Sequence, residues 1–282
     1  MPRKLGQHFL KNESAIKKII ATLELKNGET VLEIGAGHGE LTKPLLEVCG
    51  KVGCKVMAVE KDPELAAGIQ NLENSENLKV ITGDIRKILP KLVSHYSLCL
   101  YGTSPEGRQT THYKLVGNIP FYITGRLLRN ISELKNKPEL CVLTLQKEVA
   151  ERICVAPPKM NRLAAVVQFW AEPKIIGFIS KKDFSPPPEV DSAIIRLGVR
   201  LEVLGFRGEK QKLSEENYYR MVRILFQQPR KTVANNLTSG LKTDRLEIAK
   251  KLEKLSIFPN LRPQNLSVEE IIKISKEIKI YN

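Results

Sequence analysis

The chain has 282 residues, enough for one large α/β domain and a small second one. Its hydrophobic content of 42% with 27% charged residues is that of an ordinary globular protein and excludes a disordered chain. Forty-five basic against 31 acidic side chains leave a net charge of +14, a field that favours a polyanionic partner. Nucleic acid is the commonest such partner, and a basic surface that only aids solubility is the blander alternative.

Asn12 is placed to cap a helix whose Ile16, Ile19, Ile20 and Leu23 recur at helical spacing. After Gly28, residues 30–34 (TVLEI) read as a strand, 41–48 as a helix and 55–59 (KVMAV) as a second strand. Asp62-Pro63 opens another helix, because a proline at the first helical position forfeits no hydrogen bond. Residues 78–81, 114–116 and 140–145 are three further strands, and 146–152 and 163–170 two further helices. Late strands at 174–180 and 190–197 flank a proline run. The polar stretch 94–113 shows no period and reads as an insertion or loop near the site. Beyond residue 200 strand patterning stops. Ser214 starts a helix bearing Tyr218, Met221, Val222, Leu225 and Phe226, and Ser267 with Glu270 forms a capping box. The predicted fold is α/β, a mostly parallel sheet with helices on both faces over residues 1–203, followed by a small all-α domain over 204–282.

Five cysteines (Cys49, Cys54, Cys99, Cys141 and Cys154) include no Cys-x-x-Cys pair, and the four histidines are scattered. Neither a metal site nor a disulfide framework is expected, and Cys141 and Cys154 read as small core residues. No apolar run reaches membrane-spanning length and none follows Arg3-Lys4, so the chain reads as cytoplasmic, without a membrane partner.

VLEIGAGHGELT (31–42) is a strand, a glycine-rich turn and a helix start. Its spacing lacks the wider last step of a dinucleotide fingerprint, and no P-loop lysine follows. Glu60 stands at the end of the second strand, where an acid can accept hydrogen bonds from a ribose diol, and Asp84 at the end of the third. Gly35, Glu60 and Asp84 at successive strand ends line one crevice, suited to a ligand with a ribose and an adenine but no pyrophosphate: S-adenosylmethionine.

The fourth strand runs into Asn118-Ile119-Pro120-Phe121. An amide oxygen and an outward main-chain carbonyl can hold the hydrogens of an exocyclic amine, and Phe121 offers a face to its base. An adenine N6 is a poor nucleophile because its lone pair is delocalised into the ring. Two acceptors on its hydrogens localise that pair toward a methyl sulfonium, so positioning and electrostatics suffice for transfer. The base must leave its stack to reach such a pocket.

LGQHFL, VLEIGAGHGELT, AVEKD, NIPFYIT, QKEVAER, FSPPPEVDSAIIRL, LFQQPRKTVANNL and RPQNLSVEE occur in this order from Leu5 to Glu270. Together they resemble the small-subunit (16S) ribosomal RNA adenine N6,N6-dimethyltransferase family. The resemblance implies a Rossmann-like class I methyltransferase sheet with an antiparallel late strand and a helical C-terminal domain. It implies conversion of two adjacent adenosines near the 3′ end of 16S rRNA, within a small-subunit (30S) precursor, to N6,N6-dimethyladenosine by a monomer. By the same resemblance His8 and Leu10 belong to a lid over the cofactor, Gly35 lies against its methionine part, and Glu60 holds its ribose. Asp84 takes its adenine amine, and Asn118 contacts both methionine and target amine. Phe121 and Phe184 stack on the target base, and Arg230, Lys231 and Asn235 contact RNA. Histidine stands at 8 where asparagine is common, phenylalanine at 121 where tyrosine is usual, and proline at 229 where a basic residue is frequent. Residues 207–236 carry seven basic and three acidic side chains, with Tyr218, Tyr219 and Phe226 interleaved as an RNA-binding pattern. A solvated helix face is the plain alternative there. Two rivals remain: a macrolide-resistance methyltransferase of large-subunit RNA, and a non-catalytic assembly factor that keeps the fold.

Overall fold

Several helices form where apolar periodicity and a capping residue agree. A computed structural model describes residues 7–72, 75–96, 101–103, 109–111, 113–200 and 215–278. In chain order they are β1 (Phe9–Leu10), α1 (Glu13–Leu23), β2 (Thr30–Ile34), α2 (Thr42–Val52), β3 (Lys55–Glu60) and α3 (Pro63–Gln70). Next come β4 (Leu78–Thr82), α4 (Ile85–Tyr96), β5 (Tyr101–Thr103), β6 (Gln109–Thr111), β7 (Tyr113–Asn118) and α5 (Thr124–Glu133). Then follow β8 (Leu140–Gln146), α6 (Lys147–Ile153), α7 (Arg162–Trp170), β9 (Ala171–Ile179), β10 (Phe184–Ser185) and β11 (Ser192–Val199). The last are α8 (Glu215–Leu225), α9 (Val233–Leu241), α10 (Arg245–Lys254) and α11 (Val268–Glu277).

Asn12 caps α1 by accepting from the Ala15 N–H, and Asp62 caps α3 ahead of Pro63. Seven strands form one sheet in the order β4-β3-β2-β7-β8-β11-β9. β2, β3, β4, β7 and β8 pair in parallel, and β11 returns antiparallel along β8, from Ser192 opposite Gln146 to Gly198 opposite Leu140. All five residues of β2 are buried, as strands covered on both faces require.

Three features depart from the sequence patterning. α4 occupies 85–96, a stretch assigned no element from sequence, with Pro90 inside it and Ile85, Leu89 and Val93 at helical spacing as its buried stripe. The stretch read as a loop contains an antiparallel ribbon, β5 with β6, pairing Tyr101 with Thr111. Cys49 and Cys54 are joined as a disulfide, contrary to the expectation from cysteine count: the left-handed turn at Gly53 (φ +84°) brings their Cα atoms to 4.5 Å. Cys141 is buried as expected, while Cys154 is only half-buried.

The chain divides into two compact units, residues 1–150 with 173–199, and residues 151–172 with 200–282. The boundary expected at 203/204 and the cap at Ser214 lie outside the described residues, as does Arg207. In the second unit α7 packs with α8. The Tyr218 hydroxyl donates to the Ala165 carbonyl at 2.9 Å, and the Tyr218 ring stacks on Phe169 at 3.9 Å. Tyr218 and Phe226 are buried, which corrects their reading as RNA-facing aromatics: the apolar stripe of α8 is core. Ser267 and Glu270 cap α11 reciprocally, as the sequence pattern indicates. Among the described residues no helix is long and apolar enough to cross a membrane.

Candidate active site

Parallel strands end together, and here the hydrogen-bond ladder runs one residue past each end. Gly35 N–H donates to the Val59 carbonyl, Gly83 N–H to the Glu60 carbonyl and Ile119 N–H to the Thr144 carbonyl, at 2.8, 2.8 and 3.1 Å. Gly35, Glu60, Asp84 and Asn118 are thereby aligned along one sheet edge. They line a single cavity with His8, Phe121 and Phe184.

Gly35 holds φ +72°, a conformation that side-chain-bearing residues avoid, and a Cβ there would point toward the Asn118 carbonyl at 3.9 Å. Gly117 is constrained differently. A Cβ on it would stand 2.6 Å from the Ile34 carbonyl oxygen, so β7 approaches β2 only because residue 117 has none.

Glu60 is buried and organises two turns. Its Oε1 accepts the N–H groups of Lys61 and Asp62 at 2.7 and 2.9 Å, and its Oε2 accepts that of Gly37 at 2.9 Å. One carboxylate thus fixes the glycine-rich loop against the end of β3. Below that loop Glu33 is also buried, and burial pushes its carboxyl up to about 8. A hydrogen bond from the Thr42 hydroxyl (2.8 Å) opposes that shift, while the charges of Glu40 and Glu60 add to it.

Asn118 ends β7 with its amide turned toward the N-terminal segment. Nδ2 donates to the His8 carbonyl at 2.7 Å, and since a carbonyl only accepts, the amide orientation follows from chemistry. Oδ1 therefore remains for another donor; among the described residues no protein group supplies one. The same logic sets the tautomer of His8. Its Nδ1 meets the Pro186 carbonyl at 2.8 Å, so Nδ1 carries the hydrogen. The imidazole lies 6.0 Å from the Phe121 ring, tilted by 33°. Phe121 begins a single 3-10 turn after Pro120, and Phe184, 4% exposed, is a core residue that also lines the cavity.

A short ribbon brings these pieces together: β1 pairs with β10, Phe9 opposite Ser185 and Leu10 opposite Phe184. That pairing takes Leu10 away from the cavity. Its side chain is 1% exposed among the core residues Ile16, Ile19 and Ile194, so the structure does not place it against a ligand. The ribbon alternates faces, and Leu10 shares the inward one with its partner Phe184, which belongs to the same core cluster and also lines the cavity.

Asp84 has a partner that the motif alone did not indicate. Arg86 forks its carboxylate with Nε and Nη2, and donates its own N–H to Oδ1. These bonds hold Asp84 down to about 2, with hydrogen bonding to the Arg86 side chain the largest cause.

In the second unit Arg230 and Lys231 are exposed on the turn between α8 and α9. Buried Asn236 braces that turn: its Oδ1 accepts from the Gln228 N–H, and its Nδ2 reaches the carbonyls of Gln228, Lys231 and Thr232. Asn236 was not singled out from sequence, since an asparagine mid-helix carries no pattern. Asn235 is half-buried, and its main-chain N–H is used by the Thr232 cap.

Comparison with known proteins agrees with this geometry. The family model described as ribosomal RNA adenine dimethylase matches residues 1–279. The chain is 36% identical over 276 residues to the ribosomal RNA small subunit methyltransferase A of Dehalococcoides mccartyi (strain CBDB1), covering 97% of this chain and 87% of that protein. It is 34% identical over 284 residues to the protein of the same name from Moorella thermoacetica, covering 99% and 93%. Two solved structures share the fold at 23% identity each. They are a dimethyladenosine transferase from Plasmodium falciparum, with TM-score 0.73 over 96% of this chain and 98% of that one, and the 23S rRNA methyltransferase ErmE, with 0.67 over 95% and 98%.

Proposed function

The chain belongs to the ribosomal RNA adenine dimethylase family, and on that premise we propose that it methylates N6 of two adjacent adenosines near the 3′ end of 16S rRNA in a small-subunit precursor. S-adenosylmethionine, when bound, supplies the methyl group on a sulfonium. The cavity suits it. The glycine-rich edge leaves main chain open beside Asn118, buried Glu60 stands at the ribose position, and Asp84 is an ionised acceptor for the adenine amine.

The observation that carries the reading is the division of labour within Asn118. Nδ2 is anchored on the His8 carbonyl, which leaves Oδ1 as an acceptor on a residue that lines the cavity together with Gly35, Glu60, Asp84 and Phe121. An acceptor in that place takes a hydrogen of the target amine, and Phe121 and Phe184 hold the flipped ring. Losing the tyrosine hydroxyl at 121 does not affect stacking, which uses the ring face. In the second unit the braced turn presents Arg230 and Lys231 for phosphate contact, with Asn235 beside them, contacts that position RNA without reading its sequence.

Undermethylated 30S and 50S particles incubated with the protein and a labelled methyl donor test this reading. Label is expected on N6 of adenosines in 30S RNA alone. Label in 50S RNA would favour the large-subunit alternative, and label in neither would support the non-catalytic one.

A further inference from the structure

Arg86 is two residues beyond Asp84, lies in the cavity wall, and is held from three sides. Its N–H and its guanidinium both bond the Asp84 carboxylate. Its carbonyl accepts from Nδ2 of Asn130 on α5 at 2.8 Å, and its guanidinium carbon lies 5.8 Å from the centre of the Tyr122 ring. α5 and Tyr122 both belong to the segment that follows Asn118, so Arg86 joins the adenine end of the cavity to the turn that carries the target-base residues.

An ionised carboxylate offers about four acceptor positions. Oδ1 uses two, on the N–H and Nε of Arg86 at 3.0 and 2.9 Å, and Oδ2 uses one, on Nη2. The Lys61 ammonium stands 4.0 Å from Oδ2, an ion pair beyond hydrogen-bond reach. One acceptor position is left, on Oδ2. We infer that Arg86 is a positioning residue for cofactor selection, fixing Asp84 so that a single oriented acceptor remains and a purine with a 6-amino group is chosen over one with a 6-oxo group. The inference rests on the S-adenosylmethionine reading of this cavity. A 6-amino purine donates to the remaining position, whereas a 6-oxo purine sets an oxygen against it. At neutral pH an aspartate is ionised without help, so what the fork adds is direction. A free carboxylate would rotate and stay hydrated, and its preference between the two purines would weaken.

Calorimetry with S-adenosylhomocysteine and its 6-oxo (inosine) counterpart tests this without turnover. The unaltered protein is expected to bind the amino compound at least roughly tenfold more tightly, as the loss of one hydrogen bond at a charged group dictates. Arg86→Met, which fills similar space, should weaken binding of the amino compound about tenfold and leave the oxo compound within about twofold, so the preference collapses. Arg86→Lys keeps the charge and loses the fork; it should fall between the two, and it serves as the test where Arg86→Met does not fold. Equal weakening of both compounds would reduce Arg86 to a structural role and overturn the inference, as would an intact preference in Arg86→Met. Failure of the unaltered protein to bind either compound would instead sink the cofactor reading itself.

Discussion

Glu60→Gln keeps the shape of the side chain but replaces one acceptor oxygen with a donor. Three main-chain N–H groups point at this carboxylate, two at Oε1 and one at Oε2. The least harmful orientation sets the new NH2 against the Gly37 N–H and keeps the oxygen on Lys61 and Asp62. The Gly37 N–H is then stranded in a buried site, at about 1–3 kcal/mol. Two charge-assisted bonds also become neutral ones of roughly half the strength, for about 0.5–1 kcal/mol each. The sum is about 3 kcal/mol, which at ~2–4 °C per kcal/mol for a protein of this size lowers Tm by roughly 6–12 °C. Urea and thermal unfolding followed by far-UV circular dichroism measure it. A loss below about 0.5 kcal/mol would mean that the three donors are satisfied elsewhere, and that Glu60 does not hold the glycine-rich loop.

Asn118→Ala should abolish methyl transfer while leaving S-adenosylmethionine binding measurable by calorimetry; undiminished turnover would remove the amide from the mechanism. Glu33, pushed up to about 8 by burial, keeps its proton in the folded chain above its ordinary 4.5, where the unfolded chain has released it. Its contribution to stability is therefore full below pH 4.5 and is lost as pH rises toward 8. Relative to Glu33→Gln, which does not titrate, the unaltered protein should lose a few kcal/mol between pH 5 and 8 in urea titrations, and parallel pH profiles would refute the shift. Lys114 is buried on β7 with Nζ 2.9 Å from Glu29 and 2.8 Å from the Glu24 carbonyl. Lys114→Met should cost about 3–5 kcal/mol by leaving the Glu29 charge unpaired, and Lys114→Met with Glu29→Gln should recover part of it. A double-mutant cycle with no coupling would contradict that account.

Most of the sheet was legible because its signals are local. The runs TVLEI and LCVLTL, the caps at Asn12 and Asp62, and the Ser267–Glu270 box each act within a few residues of themselves. The order of Gly35, Glu60, Asp84 and Asn118 was legible for the same reason: parallel strands end together, so residues at strand ends share an edge whatever covers the faces. α4 carries its apolar residues Ile85, Leu89 and Val93 at helical spacing, and only Pro90, a residue that disfavours helix interiors, argues against it in the sequence.

What the linear chain determined by itself is the chemistry available: strands that must stack in parallel, acceptors at their ends, and an amide followed by an aromatic at residues 118 and 121. Tertiary structure decided which way those groups face. Pairing β1 with β10 turned Leu10 into the core and put the His8 carbonyl against Asn118, and packing of α8 on α7 buried Tyr218. It also joined Cys49 to Cys54 and set Arg86 between Asp84 and Tyr122. These outcomes depend on which segments share a free-energy minimum once apolar faces are buried together, and no window of neighbouring residues contains that information.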